Sequence, residues 1–130
     1  MNDTLSNLKD TIWSNGHELR YWIDHVEADE YTLKLSGWGL VTGIHSWTMT
    51  CKIDFKGARY SFSCKPHRVS RNDVTIDHGG SKFNYDYSGF HIEVPRQAVG
   101  QDCYDIYLTF RDKDTNELVL SYPVLSTRIV

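Results

Sequence analysis

The chain has 130 residues, 40% of them hydrophobic and 24% charged, with a formal net charge of −3. That length and balance describe one globular domain whose core needs no metal or disulfide staple, and exclude a disordered tail. Three prolines exclude a proline-rich linker, and with no apolar run near ~20 residues no helix is expected to insert into a membrane.

Residues 4–15 read as one short helix. Leu5, Leu8 and Ile12 fall on one face, Asp3 or Thr4 can cap the first amides, and Asn15-Gly16 is a stop. A helix this short is marginal in water, so it packs on the domain or ends a linker from a preceding one. The opening MNDTLSNLKD carries neither the basic start nor the apolar stretch of a signal peptide. The expected division is residues 1–16 as helix or linker and residues 17–130 as the sandwich domain.

After Gly16 the period becomes two. Residues 19–26 form a first strand. Tyr31, Leu33 and Leu35 then alternate with Thr32, Lys34 and Ser36, and residues 47–55, 60–64, 90–94 and 104–110 repeat the pattern. Each is a strand with one apolar face. Residues 118–122 and 124–130 make the last strand, bent at Pro123. Lys56-Gly57 marks a hairpin, and Asp112-Lys113-Asp114-Thr115-Asn116-Glu117 a polar loop. Residues 66–89, with little alternation and a Gly79-Gly80 pair, are expected to cross between two sheets. The fold class is all-β, an antiparallel immunoglobulin-like β-sandwich with a short N-terminal helix. It lacks the Cys…Trp…Cys signature of an antibody-type domain.

Charge is unevenly spread. Residues 1–30 hold Lys9 and Arg20 against seven carboxylates, a net −5; residues 45–71 hold six cations against Asp54, a net +5. The two segments are expected to neutralise each other. A nucleic-acid partner is not expected, because such domains are basic overall. Cys51, Cys64 and Cys103 sit in strand-like patterns, and an odd count is a poor disulfide framework. All three are expected to be buried thiols, which favours a reducing compartment.

Several short motifs fall in a fixed order. Ser36-Gly37-Trp38-Gly39 closes a strand, and Arg71-Asn72-Asp73-Val74 forms a turn. Ser88-Gly89-Phe90 then opens a strand ending Val94-Pro95, and Gly100 precedes the next. This order, over residues 31–110, resembles the accessory β-sandwich modules of bacterial cell-surface glycosyltransferases and teichoic-acid-type polymerases. The chain departs from them in its opening segment and in the aromatic run 83–87. The resemblance implies a non-catalytic module that positions a glycan acceptor or a partner domain, with a glycan or an adjacent transferase domain as partner and no cofactor. It implies a cytoplasmic location, or a membrane association through a parent protein. A stand-alone carbohydrate-binding β-sandwich protein is the alternative.

No residue set stands out for catalysis. The six histidines show no metal-ligand spacing, and no Cys-x-x-Cys occurs, so no metal site is assigned. The Asp112 loop starts like a calcium loop but has Glu117 where glycine is needed and Pro123 where glutamate is needed. There is no Gly-x-Ser-x-Gly elbow, and Asp77-His78-Gly79-Gly80 reads as a turn. Binding is the remaining chemistry. In Arg71-x-Asp73-Val74, Asp73 can hold turn amides, Arg71 can pair with a neighbouring strand, and Val74 can enter the core; alternatively Arg71 and Asp73 meet a ligand. Phe83, Tyr85 and Tyr87 share one face if extended, lying either on the core or as an exposed platform for a sugar ring. The candidate ligand-binding residues are Tyr85, Tyr87, Phe83, Arg71 and Asp73. Trp38 and Trp47 are expected between the sheets, and Trp13 and Trp22 under the opening helix.

Overall fold

A computed structural model describes residues 6–7, 12–14, 17–80 and 82–130. The architecture is mostly strand, arranged as two antiparallel sheets of four strands with a short fifth strand added to each. The strands are β1 (Ser6–Asn7), β2 (Ile12–Ser14), β3 (His17–Ala28), β4 (Thr32–Val41), β5 (Met49–Gly57), β6 (Ser61–Cys64), β7 (His67–Val69), β8 (Gly89–Pro95), β9 (Asp102–Asp112) and β10 (Leu118–Ile129). One sheet has the order β1-β10-β9-β5-β6 and the other β2-β3-β4-β8-β7.

The core lies between the sheets, and the two-residue period builds it. Ile53 and Phe55 of β5 and Ile106 and Leu108 of β9 meet Leu33 and Leu35 of β4 and Phe90 and Ile92 of β8 in one buried cluster. Each such side chain contributes roughly 1.5–3 kcal/mol through apolar burial. The same period corrects one expectation. Tyr104 faces inward, so Cys103 beside it faces solvent. Cys51 is buried and Cys64 partly buried, and all three thiols are free. Burial pushes the Cys51 thiol up to about 12 and raises that of Cys64.

Two register shifts shape the fold around the site. β10 shifts register between Pro123 and Leu125, because proline has no N–H to give the ladder. β3 shifts between Ile23 and His25, leaving Asp24 as the extra residue. Gly37 lies opposite that bulge, and a side chain there would meet the Ile23 Cα at 3.0 Å. This gives the glycine of the Gly-Trp motif a steric reason.

Two further expectations change. The helix over 4–15 does not appear where that span is described: Ser6–Asn7 pairs with β10 and Ile12–Ser14 with β3 as strand. The remainder of that span, and the side chain of Trp13, lie outside the described residues. The passage between sheets after β6 is made by Lys65-Pro66 alone, and β7 already belongs to the second sheet. Residues 70–80 and 82–88 instead return to that sheet, folding over the outer face of β4. They contain one helical turn at Asn72–Val74, a wider turn at Thr75–Gly79 and a single 3-10 turn at Asp86–Ser88. Val74 and Tyr85 bury against Leu40, with Trp38 and Phe83 packed on them, as a second small core. Trp38 therefore lies under this flap and not between the sheets.

Candidate functional site

The flap is fastened at both ends by arginines. At one end, Arg71 donates from Nε and Nη2 to the two carboxylate oxygens of Asp73, both at 3.0 Å, and from Nη1 to Asp24 Oδ2 at 2.7 Å. The bulge in β3 aims Asp24 out of the ladder toward it. The Arg71 backbone N–H donates to the Asp86 carbonyl at 2.7 Å. The fork with Asp73 raises the Arg71 pKa further and holds the Asp73 carboxyl below its ordinary value. Both side chains are thus engaged with each other and with β3, and Val74 is buried behind them.

The aromatic run divides into two parts. Tyr85 is only 2% exposed. Its hydroxyl accepts from the Gly43 N–H at 3.0 Å, and its own N–H donates to the Thr75 hydroxyl at 2.8 Å. Phe83 stacks on it with ring centroids 6.2 Å apart, His45 tilts against Phe83 at 5.5 Å, and Trp47 stacks on His45 at 5.8 Å. The 3-10 turn at Asp86–Ser88 breaks the alternation, so Tyr87 leaves this ladder and is 52% exposed. Trp47 precedes β5 in a 3-10 turn of its own, Ser46–Thr48, and is 54% exposed. It is a surface ring where a core ring was expected.

Trp47 and Tyr87 line the same cavity, of about 300 Å³. It forms because β6 pairs only with residues Ile53 to Lys56 of β5, leaving the Met49 end of that edge without a strand neighbour among the described residues. Arg68 on β7 crosses the gap. Its Nη1 donates to the Met49 carbonyl at 3.1 Å and its Nε to the Tyr87 carbonyl at 3.0 Å, while Nη2 reaches the Ser46 and Tyr87 carbonyls. Loss of hydration lowers the Arg68 pKa. Met49, Pro66, Lys65 and Lys113 complete most of the wall.

The structure therefore brings together Tyr87 with Trp47, Arg68, Lys65 and Lys113. It does not bring Tyr85, Phe83, Arg71 or Asp73 to that cleft. In the sequence Trp47 falls in phase with the β5 alternation and so resembles a core ring. Arg68 and Lys65 stand out there only as part of a basic stretch. The available signal was Pro66, where alternation stops and the chain changes sheets.

Elsewhere the titratable groups hold the fold. Asp102 accepts from the Arg59, Tyr60 and Cys103 N–H groups, closing the Lys56-Gly57 hairpin, and these bonds lower its pKa. Asp112 does the same for Asp114 and Thr115. His78 packs on Trp38 at 5.2 Å and takes a 3.3 Å contact from Arg20 Nη1. Among the described residues no three His, Cys, Asp or Glu side chains converge as a metal site. Comparison with family models, curated proteins and solved structures finds no match for this chain.

Proposed function

We propose that this chain is a non-catalytic binding module whose ligand is a saccharide held between Trp47 and Tyr87. The observation that carries this reading is the pair of half-exposed rings flanking one cavity beside a fixed guanidinium. Sugar rings present apolar C–H faces to aromatic rings, and a few polar groups fix their orientation. We assign the sandwich to the immunoglobulin-like type. Its central orders, β3-β4-β8-β7 and β10-β9-β5-β6, support this, since they run as the A-B-E-D and G-F-C order of such domains with a further strand beside C. The Gly-Trp, Arg-x-Asp-Val and Gly-Phe motifs favour an accessory role beside a bacterial cell-envelope glycopolymer transferase over a stand-alone lectin.

Calorimetric titration with a panel of cell-envelope and plant oligosaccharides tests the reading. Binding that disappears in both Trp47→Ala and Tyr87→Ala is the expected result. Binding that survives both substitutions, or no binding to any glycan, would overturn it.

A further inference from the structure

The cleft has a charge that the sugar-stacking reading does not use. Lys65, Arg68 and Lys113 line it, and among the described residues no carboxylate does. Arg68 is the informative one. Its hydrogen bonds go to the carbonyls of Ser46, Met49 and Tyr87. Carbonyl dipoles satisfy donors but leave the full positive charge in place. Among the described residues no carboxylate stands within ion-pair distance of Arg68, Lys65 or Lys113, whereas Arg71 on the same stretch has two. Asp112, beside Lys113, turns its carboxylate into its own loop. A partly buried, immobilised charge is screened less than a surface lysine and needs no reordering to act on a ligand.

We propose that the ligand of this cleft is an anionic saccharide, whose phosphodiester or carboxylate groups lie over Lys65, Arg68 and Lys113 while its sugar rings rest on Trp47 and Tyr87. Arg68 supplies a fixed field, since its donors are largely taken. The two exposed lysines supply direct ion pairs. This rests on the saccharide reading above.

The full chain is titrated by calorimetry at low and moderate salt with four probes: a neutral cello-oligosaccharide, an oligogalacturonate, an oligomer of phosphodiester-linked hexoses and inorganic pyrophosphate. The expected result is that at least one anionic oligomer binds about tenfold or more tighter than the neutral one. That margin should shrink with salt and shrink further in Lys65→Gln/Lys113→Gln, where the field of Arg68 remains. Both lysines are exposed, so this variant folds normally. Preference for the galacturonate or for the phosphodiester-linked hexoses identifies carboxylate or phosphodiester as the recognised group. If the neutral oligomer binds equally well and still needs Trp47 and Tyr87, the charge proposal falls and the saccharide reading stands. If pyrophosphate binds and no oligomer does, the saccharide reading falls, and the anionic-saccharide proposal with it.

Discussion

Arg68 and Arg71 leave the same short stretch of chain and end in opposite electrostatic settings. Arg71 meets two carboxylates, Asp24 from β3 and Asp73 from its own turn, and its charge is neutralised where it stands. Among the described residues Arg68 meets only carbonyls, and it keeps its charge. Both fasten the flap over β4, one at each end. One does so as a closed ion pair, the other as a brace with a field left over. Tyr85 and Tyr87 repeat the contrast in aromatic form. One ring is locked beneath the flap and its neighbour two residues on is left at the mouth of a cavity. A local motif can therefore hold one residue of each kind for the fold and leave the other facing out.

The sharpest test of that division is Tyr85. Replacing it with alanine empties a closely packed site beside Leu40 and Val74 and removes the acceptor of the Gly43 amide. A loss of about 3–5 kcal/mol is expected in urea unfolding. A loss below about 1 kcal/mol would show that the flap is not a second core.

The arginines come next. Arg68→Ala leaves three carbonyls without a charged donor, and an effect of about 1.5–3 kcal/mol is expected. Arg71→Ala removes pairs that are partly open to solvent, so about 1 kcal/mol is expected by the same measurement. The two differ in pH dependence. The folded Asp73 carboxyl lies below its ordinary 3.8 because Arg71 bonds it. Its contribution is thus fully present above about 3.8 and is lost as pH falls through the lower folded value. Arg71→Gln should flatten the acid limb of the stability curve below that point, and Arg68→Ala should leave its shape alone. An unchanged acid limb in Arg71→Gln would mean that the fork with Asp73 contributes nothing.

How far the sequence revealed this follows from period and partner. Two-residue alternation located β4, β5, β8 and β9, because one face of each is buried and the signal is local. The same logic placed the bend at Pro123. Alternation failed where a single 3-10 turn interrupts it without changing residue type. Trp47 keeps the parity of β5 yet precedes it, and Tyr87 keeps the parity of Tyr85 yet turns away. The pairing of Arg71 with a neighbouring strand was legible as chemistry, but its partner depended on a bulge in β3. Of Arg68 only its charge and its place just after Pro66 were legible. Its role comes from β6 ending early against β5, a long-range fact that no window of sequence contains. Three apolar positions at helical spacing point to an opening helix, but Ile12 pairs with Leu19 on β3.

The smallest expected effect is the most decisive for function. Tyr87→Ala and Trp47→Ala each remove a ring that is half open to water. Exposed substitutions of this kind stay within about 0.5 kcal/mol. Trp47 is the larger of the two, because it stacks on His45 at the end of the ladder that runs through Phe83 to Tyr85. If Trp47→Ala keeps its unfolding midpoint and loses ligand, the ring serves the cleft. If it unfolds at markedly lower urea, Trp47 closes the ladder as a structural cap. The cavity beside it would then be only the place where packing stops. The double variant Trp47→Ala/Tyr87→Ala distinguishes these cases further. Among the described residues Tyr87 shares no ring contact with Trp47, His45 or Phe83, so its stability effect should add to that of Trp47 within about 0.5 kcal/mol. Any coupling between the two should appear only in ligand affinity, as expected of rings that meet through a bound molecule.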